Sequence, residues 1–282
     1  MLALRRSAPR ILLPSAVLLA LAIVAGMLLH HISRALAAER HPAATHTPVV
    51  VELFTSEGCS SCPPADALLA RLQQDQPVAS AEVLALEEHV DYWDGQGWHD
   101  RFSSADITSR QSAYTRRFQI DSNYTPQMVV DGTTQFVGND TKQAVDAIAR
   151  ATRTPKLALS VKALMLDQDR IVGELSLPPA PPSDTVLYAA LVQPMASTQV
   201  LHGENGGHTL NHVSVVRNLQ RVDIPRAGAT ANFSLAIPKN LSPANVKVVV
   251  FLQRKGQGPI LAAASSSLPT NAEDAAVVPE LN

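Results

Sequence analysis

The chain has 282 residues, 46% of them hydrophobic and 17% charged, with 23 basic side chains, 25 acidic ones and two cysteines. So few cysteines exclude a small disulfide-built scaffold, and a formal charge of −2 with no basic face excludes a nucleic-acid-binding protein. The length allows one large domain or two small ones.

Residues 1–37 read as an export segment. Arg5, Arg6 and Arg10 form a basic start, Ile11–Leu29 is an uncharged apolar run of 19 residues, and Ala35-Leu36-Ala37 is a small-residue cleavage site. The run exceeds the roughly 7–15 residues of a signal-peptide core and approaches the roughly 20 that span a bilayer. Cleavage and retention as an N-terminal anchor therefore compete, and the cleavage site favours release. Either outcome predicts a periplasmic or secreted protein, in contact with the membrane only if the segment stays uncleaved. Without residues 1–37 the chain carries 19 basic against 25 acidic residues.

Residues 38–48 read as a linker. Val49–Phe54 is an apolar run broken by Glu52, the pattern of a strand covered on both faces. Both cysteines follow at once, in Cys59-Ser60-Ser61-Cys62, and Pro63–Gln73 is helical with Leu68, Leu69 and Leu72 in a stripe and Asp66 off it. Two thiols at this spacing, where a strand gives way to a helix, close a small reversible disulfide, and a helix N-terminus stabilises the reactive thiolate. A structural staple gains more from a long loop, and a zinc site usually needs four ligands where no second cysteine pair exists.

Val83–Leu86 is the second strand and runs into Glu87-Glu88-His89-Val90-Asp91-Tyr92-Trp93-Asp94. Ser103–Gln119 is a helix with Ile107, Ala113, Tyr114 and Phe118 inward. Gln127–Val130 and Thr134–Val137 form a hairpin about Asp131-Gly132, and Thr141–Ala151 is a closing helix. From Pro155 the pattern changes to short strands separated by proline-rich turns: the alternation from Leu157 to Ala163, then Ile171–Leu177, Val186–Val192, Thr209–Val216, Phe233–Ile237 and Val246–Leu252. This reads as α/β residues 49–152 followed by a β-rich, sandwich-like domain over 155–264, with 265–282 a disordered tail.

With this element order, Cys59–Cys62 and Thr125-Pro126 before the third strand, residues 48–152 resemble the thioredoxin-like fold. The segments 51–66, 89–94 and 124–132, together with Gly203-Glu204-Asn205 and Val215-Val216-Arg217, resemble an uncharacterised family of secreted bacterial proteins classed as thioredoxin-like. The resemblance implies a cis peptide bond at Pro126, beside the dithiol. It also implies an exposed Cys59 as nucleophile and Cys62 as resolving thiol. The chain departs from thioredoxins by Gly58 before the first cysteine, by Ser60-Ser61 between the pair, by Pro63-Pro64 after it, and by Leu53 where a buried carboxylate is expected.

Glu52, one residue further back, is the candidate proton acceptor for Cys62, because burial raises a carboxyl pKa. Thr125, His89, Tyr92 and Trp93 are the candidate substrate groove. Glu57 and Asp66 would oppose thiolate formation if they lay close. Pro63 and Pro64, which lack N–H groups, predict an irregular first helical turn. His202, His208 and His212 share a stretch with Glu204, but no established metal framework is present, and no nucleotide or hydrolase motif appears. No cofactor is expected. The leading expectation is an exported thiol–disulfide oxidoreductase acting on protein thiols or disulfides of the cell envelope. The alternatives are a non-catalytic binding module with a locked disulfide, and a soft-metal protein holding copper through Cys59, Cys62 and a histidine.

Overall fold

The structure is a computed structural model and describes residues 46–225 and 229–268. The export segment, nearly all of the linker and most of the C-terminal tail lie outside the described residues. Among the described residues no helix is long and apolar enough to cross a membrane.

The elements of the first half are β1 (Thr47–Thr55), α1 (Pro63–Asp75), β2 (Ala81–His89), α2 (Ala105–Phe118), β3 (Gln127–Val130), β4 (Thr134–Val137) and α3 (Thr141–Ala151). The second half has β5 (Ser160–Asp167), β6 (Arg170–Ser176), β7 (Thr185–Gln199), β8 (Thr209–Val222), β9 (Thr230–Ala236), β10 (Lys247–Arg254) and β11 (Ile260–Ser267). Eight strands form one mixed sheet in the order β11-β10-β7-β8-β2-β1-β3-β4, and β5-β6-β9 form a second sheet. β1 runs parallel to β2 and antiparallel to β3.

Strand periodicity decides what each face of the large sheet meets. Val49, Val51 and Leu53 of β1 with Val83 and Ala85 of β2 pack under Leu68, Leu69 and Leu72 of α1 and Ala144 and Ile148 of α3. Val50, Phe54, Leu84 and Leu86 point the other way, to Ile107 and Tyr114 of α2. That second core continues without a break into Tyr188 and Ala190 of β7 and Val249 and Phe251 of β10. Beyond it, Leu187, Leu191, Val248 and Val250 meet Ile171, Leu175 and Leu235 of the small sheet face to face. The chain does change character at residues 152–159, but the sheet and one core cross that boundary through the parallel contact of β2 with β8. The β-rich half is thus built onto the first half's sheet.

Three local expectations need correction. Helix α1 is regular from Pro63, because prolines fill its first two positions, where an N–H would have no intrahelical partner. The buried stripe of α2 is Ile107, Arg110, Gln111 and Tyr114, while Ala113 and Phe118 are only half-buried. An arginine occupies the inward stripe because a carboxylate waits for it on β1. Finally, Ser265–Ser267 belong to β11, where backbone pairing with Lys247–Val249 orders a segment whose side chains carry no strand signal.

The hairpin turn has Asp131 and Gly132 at φ of 56° and 65°, as its Asp-Gly pair predicts. The turn docks on the second half: Ile260 N–H donates to Asp131 O at 3.0 Å, and the buried Lys156 ammonium pairs with the Asp131 carboxylate. A Cβ on Gly132 would sit 2.2 Å from Gly258 O. Gly132→Ala is therefore expected to destabilise the fold by about 1–3 kcal/mol, combining left-handed strain with the clash. A urea midpoint equal to the wild type's would contradict this docking.

Candidate functional site

Strand β1 ends at Thr55, and residues 56–62 turn the chain into α1. Within that turn Cys59 and Cys62 form a disulfide, with Cα atoms 5.4 Å apart. Cys62 is the residue capping α1, and its carbonyl accepts from Ala65 and Asp66 N–H. Thr125-Pro126 is a cis peptide at the entry to β3. A Cβ on Gly138 would touch Leu53, Ala65 and Pro126 together, so Pro126 lies against the first turn of α1.

Both cysteines are fully buried, which corrects the expected exposure of Cys59. The cover comes from the loop between β7 and β8. Asn205, itself buried, donates through Nδ2 to Glu57 O at 2.9 Å and to Cys59 O at 3.0 Å. Glu204 accepts from Ser60 N–H at 3.0 Å, and the Ser60 hydroxyl together with this N–H holds the Glu204 carboxyl below its usual pKa. The glycines beside these residues let the loop fold back: Gly203, at φ 77°, packs on Trp98, and Gly207 N–H donates to Val200 O. Ser60 and Ser61 remain exposed at the rim.

The expected groove is assembled in part. Trp93 Nε1–H donates to Thr125 Oγ1 at 2.8 Å, and Trp93 packs on Gly58 just before Cys59. Tyr92 is exposed beside them. His89 does not join this surface. It is fully buried, because odd positions at the end of β2 face the α1 side, where Asp100, Phe102 and His212 of β8 cover it.

Glu52 is not near the cysteines either. It lies on the α2 face of β1, where Arg110 Nε donates to it at 2.6 Å and Tyr114 O–H at 2.5 Å. Arg110 also reaches Gln253 of β10, and Glu88 lies 3.7 Å from its Nε. Burial and the neighbouring Glu52 hold the Glu88 carboxyl well above the usual carboxylate range. Glu52 is part of a buried network with Arg110 and Tyr114, on the α2 face of β1.

The opposite face carries Asp66, one helical turn beyond Cys62. Thr55 O–H donates to it at 2.7 Å, and burial with the negative Glu87 nearby pushes its pKa up to about 7. Around it lies a group of charges that sequence reading missed as a unit. His89 Nδ1 bonds Asp100 Oδ2 at 2.6 Å, and His212 Nδ1 bonds Glu87 Oε1 at 2.6 Å. Trp98 Nε1–H donates to Glu57 Oε2 at 2.7 Å. Burial opposes charge on both imidazoles. The Asp100 charge nevertheless holds His89 well above its ordinary pKa, and the pull of Glu57 and Glu87 lifts His212 to about 9. Burial likewise opposes the Asp100 carboxylate, but the His89 cation and two backbone N–H groups bring it to about 2. His202 and His208 are exposed, so of the three loop histidines only His212 enters the interior. The legible signal was Glu87-Glu88-His89 at the end of an apolar strand, where alternation sends Glu87 and His89 to one face and Glu88 to the other.

A family model described as a protein of unknown function, DUF1223, matches residues 50–253. A crystal structure of a protein from Agrobacterium tumefaciens superimposes with a TM-score of 0.59 at 25% identity, covering 80% of this chain and 96% of that one. A domain of the outer membrane lipoprotein Omp28 from Porphyromonas gingivalis aligns over 40% of this chain and 88% of that domain, with 11% identity. Its TM-score of 0.24 is too low to carry an argument. No curated protein matches.

Proposed function

Because the chain belongs to the DUF1223 family, whose function is unknown, we propose from its site that it is an exported thiol–disulfide oxidoreductase on a thioredoxin-like scaffold. The observation that carries this reading is the closed Cys59–Cys62 disulfide at a strand-to-helix turn, with the cis Thr125-Pro126 peptide near Ala65 in the first turn of that helix. The order β2-β1-β3-β4 with α1 after the dithiol supports the scaffold. The export segment supports a compartment where disulfides persist.

In the proposed exchange a partner thiolate attacks the Cys59 sulfur. The Cys59–Cys62 bond breaks, Cys62 leaves as a thiolate, and a mixed disulfide joins Cys59 to the partner. A second partner thiolate then attacks its own disulfide-bonded sulfur and releases Cys59, so the partner gains the disulfide and the protein holds two thiols. The reverse sequence reduces a partner disulfide. Asp66, near neutrality and one turn from Cys62, exchanges the proton that Cys62 gains or loses. Thr125, Tyr92 and Trp93 line the approach.

The burial of both sulfurs makes the β7–β8 loop the gate. Asn205→Ala removes two hydrogen bonds to the redox loop and is expected to raise the rate of disulfide reduction by dithiothreitol about tenfold, the effect of about 1.4 kcal/mol of lost closure. An unchanged rate would show that this loop does not control access. The same burial favours a second reading, a binding module whose disulfide is locked. The two readings separate by redox potential.

A further inference from the structure

The buried charges behind the disulfide leave a pattern that redox exchange does not explain. Within this cluster His89 Nε2, His212 Nε2 and Glu57 Oε1 are all buried without a hydrogen-bond partner. Buried polar atoms are seldom left unpaired; His212 Nε2 and Glu57 Oε1 face each other, whereas His89 Nε2, which faces Glu87, is left to receive a further group. The spacings say what kind. His89 Nε2 lies 3.5 Å from Glu87 Oε1, and His212 Nε2 lies 3.6 Å from Glu57 Oε1. Glu87, His89 and His212 each offer one ligand atom within 4.8 Å of the others. Donors on one tetrahedral ion with bonds of about 2.1 Å sit about 3.4 Å apart.

We propose that Glu87, His89 and His212 form a binding site for a divalent first-row cation of the zinc type. The ligands are Glu87 Oε1, His89 Nε2 and His212 Nδ1. Each is oriented from behind. Asp100 holds His89 Nδ1 at 2.6 Å and is itself fixed by Glu57 N–H and Phe102 N–H. Val213 N–H holds the other oxygen of Glu87 at 2.7 Å. Glu57, steadied by Trp98, faces the outer nitrogen of His212 and closes on it as the ion draws Nδ1 away from Glu87. Two histidines, each backed by a carboxylate, are the arrangement that keeps imidazole ligands basic and correctly turned. Charge agrees with geometry: the three buried carboxyls of Glu57, Glu87 and Asp100 call for at least two compensating positive charges. Two imidazolium protons supply them, and so does one dication bound to neutral imidazoles. The mixed nitrogen and oxygen donors exclude a preference for soft copper, and the cysteines take no part.

The test is equilibrium binding of Zn2+ to the chelator-treated oxidised protein, read by metal analysis after desalting. One zinc per chain is expected. It should persist in His208→Ala, an exposed histidine, and in the Cys59→Ser/Cys62→Ser double variant, and be lost in His212→Ala and Glu87→Gln. Asp100→Asn, which touches no metal directly, should weaken binding roughly 10–100-fold. Circular dichroism separates loss of a site from loss of fold. Co2+ bound to the wild type supplies a readout that needs no variant, a visible tetrahedral band without thiolate charge transfer. Failure to retain zinc, zinc retained in folded His212→Ala, or thiolate charge transfer would each overturn the proposal. None of these outcomes depends on redox activity, so the site and the oxidoreductase reading fail separately.

Discussion

Arg110→Met is expected to cost about 3–5 kcal/mol of folding stability, the largest loss of any single exchange considered for this chain. Arg110 is 6% exposed and Glu52 not at all, and their nitrogen–oxygen contacts are 2.6 Å. The guanidinium lies 5.0–5.3 Å from the ring centres of Tyr114, Tyr188 and Phe251. Methionine would keep much of that packing but leave Glu52 buried without a cation. Burial, Glu52 and Arg110 together already decide the state of Glu88, so a neutral Glu88 cannot make up the loss. Because Arg110 of α2 bonds Glu52 of β1 and Gln253 of β10, the damage would reach both halves of the molecule. Glu52→Gln in the same chain should recover a substantial part of the loss, since the unpaired charge is then gone. Urea unfolding of the two single variants and the double variant checks this. An Arg110→Met loss under about 1 kcal/mol would mean that water reaches the pair and that the network is not a buried one.

Cys62→Ser is expected to abolish turnover while barely touching the fold. Closing a loop of four residues stabilises a chain by about 2 kcal/mol in the entropy model, so the folded state should survive. Cys59 would still form mixed disulfides with glutathione or a partner protein, and these would accumulate, because the thiol that expels the partner is missing. A well-placed internal thiol competes with external thiol at an effective concentration far above millimolar, so release should slow by at least roughly a thousandfold. Cys59→Ser should capture no mixed disulfide through the loop. Trapping followed by mass measurement distinguishes the two variants. Equal trapping by both would remove the assigned order of the cysteines, and no trapping by Cys62→Ser would favour the locked-disulfide reading.

The parts of this molecule written in local sequence were legible. The strand before the cysteines, the three helices, the Asp131-Gly132 hairpin and the proline at 126 all follow from periodicity, turn chemistry or resemblance, within a residue or two. What lay across the sheet was not. Alternation places Glu52 and Glu88 on one face and Glu87 and His89 on the other, yet nothing local says that Arg110 covers the first face or His212 the second. Glu52 was read as the proton acceptor because a carboxyl in an apolar strand needs a reason. The reason is an arginine 58 residues later, and the carboxyl we propose for the acceptor role is Asp66, which had been placed on the polar side of its helix. Cys59 was expected at the surface because the thioredoxin-like resemblance places the first cysteine exposed at the helix start. Asn205, 146 positions away, supplies the cover. Residues 265–267 were read as tail because serine carries no strand pattern, and backbone pairing to β10 overrides composition there.

The most direct test of the central claim is the redox midpoint of Cys59–Cys62, measured by equilibrating the protein in glutathione buffers, alkylating and weighing it. Exchange chemistry predicts a midpoint between about −270 and −120 mV, the span of working oxidoreductases, with its position fixing whether the protein donates or accepts disulfides. A midpoint below about −300 mV would mean a structural disulfide resistant to the glutathione pool, and the binding-module reading would replace exchange.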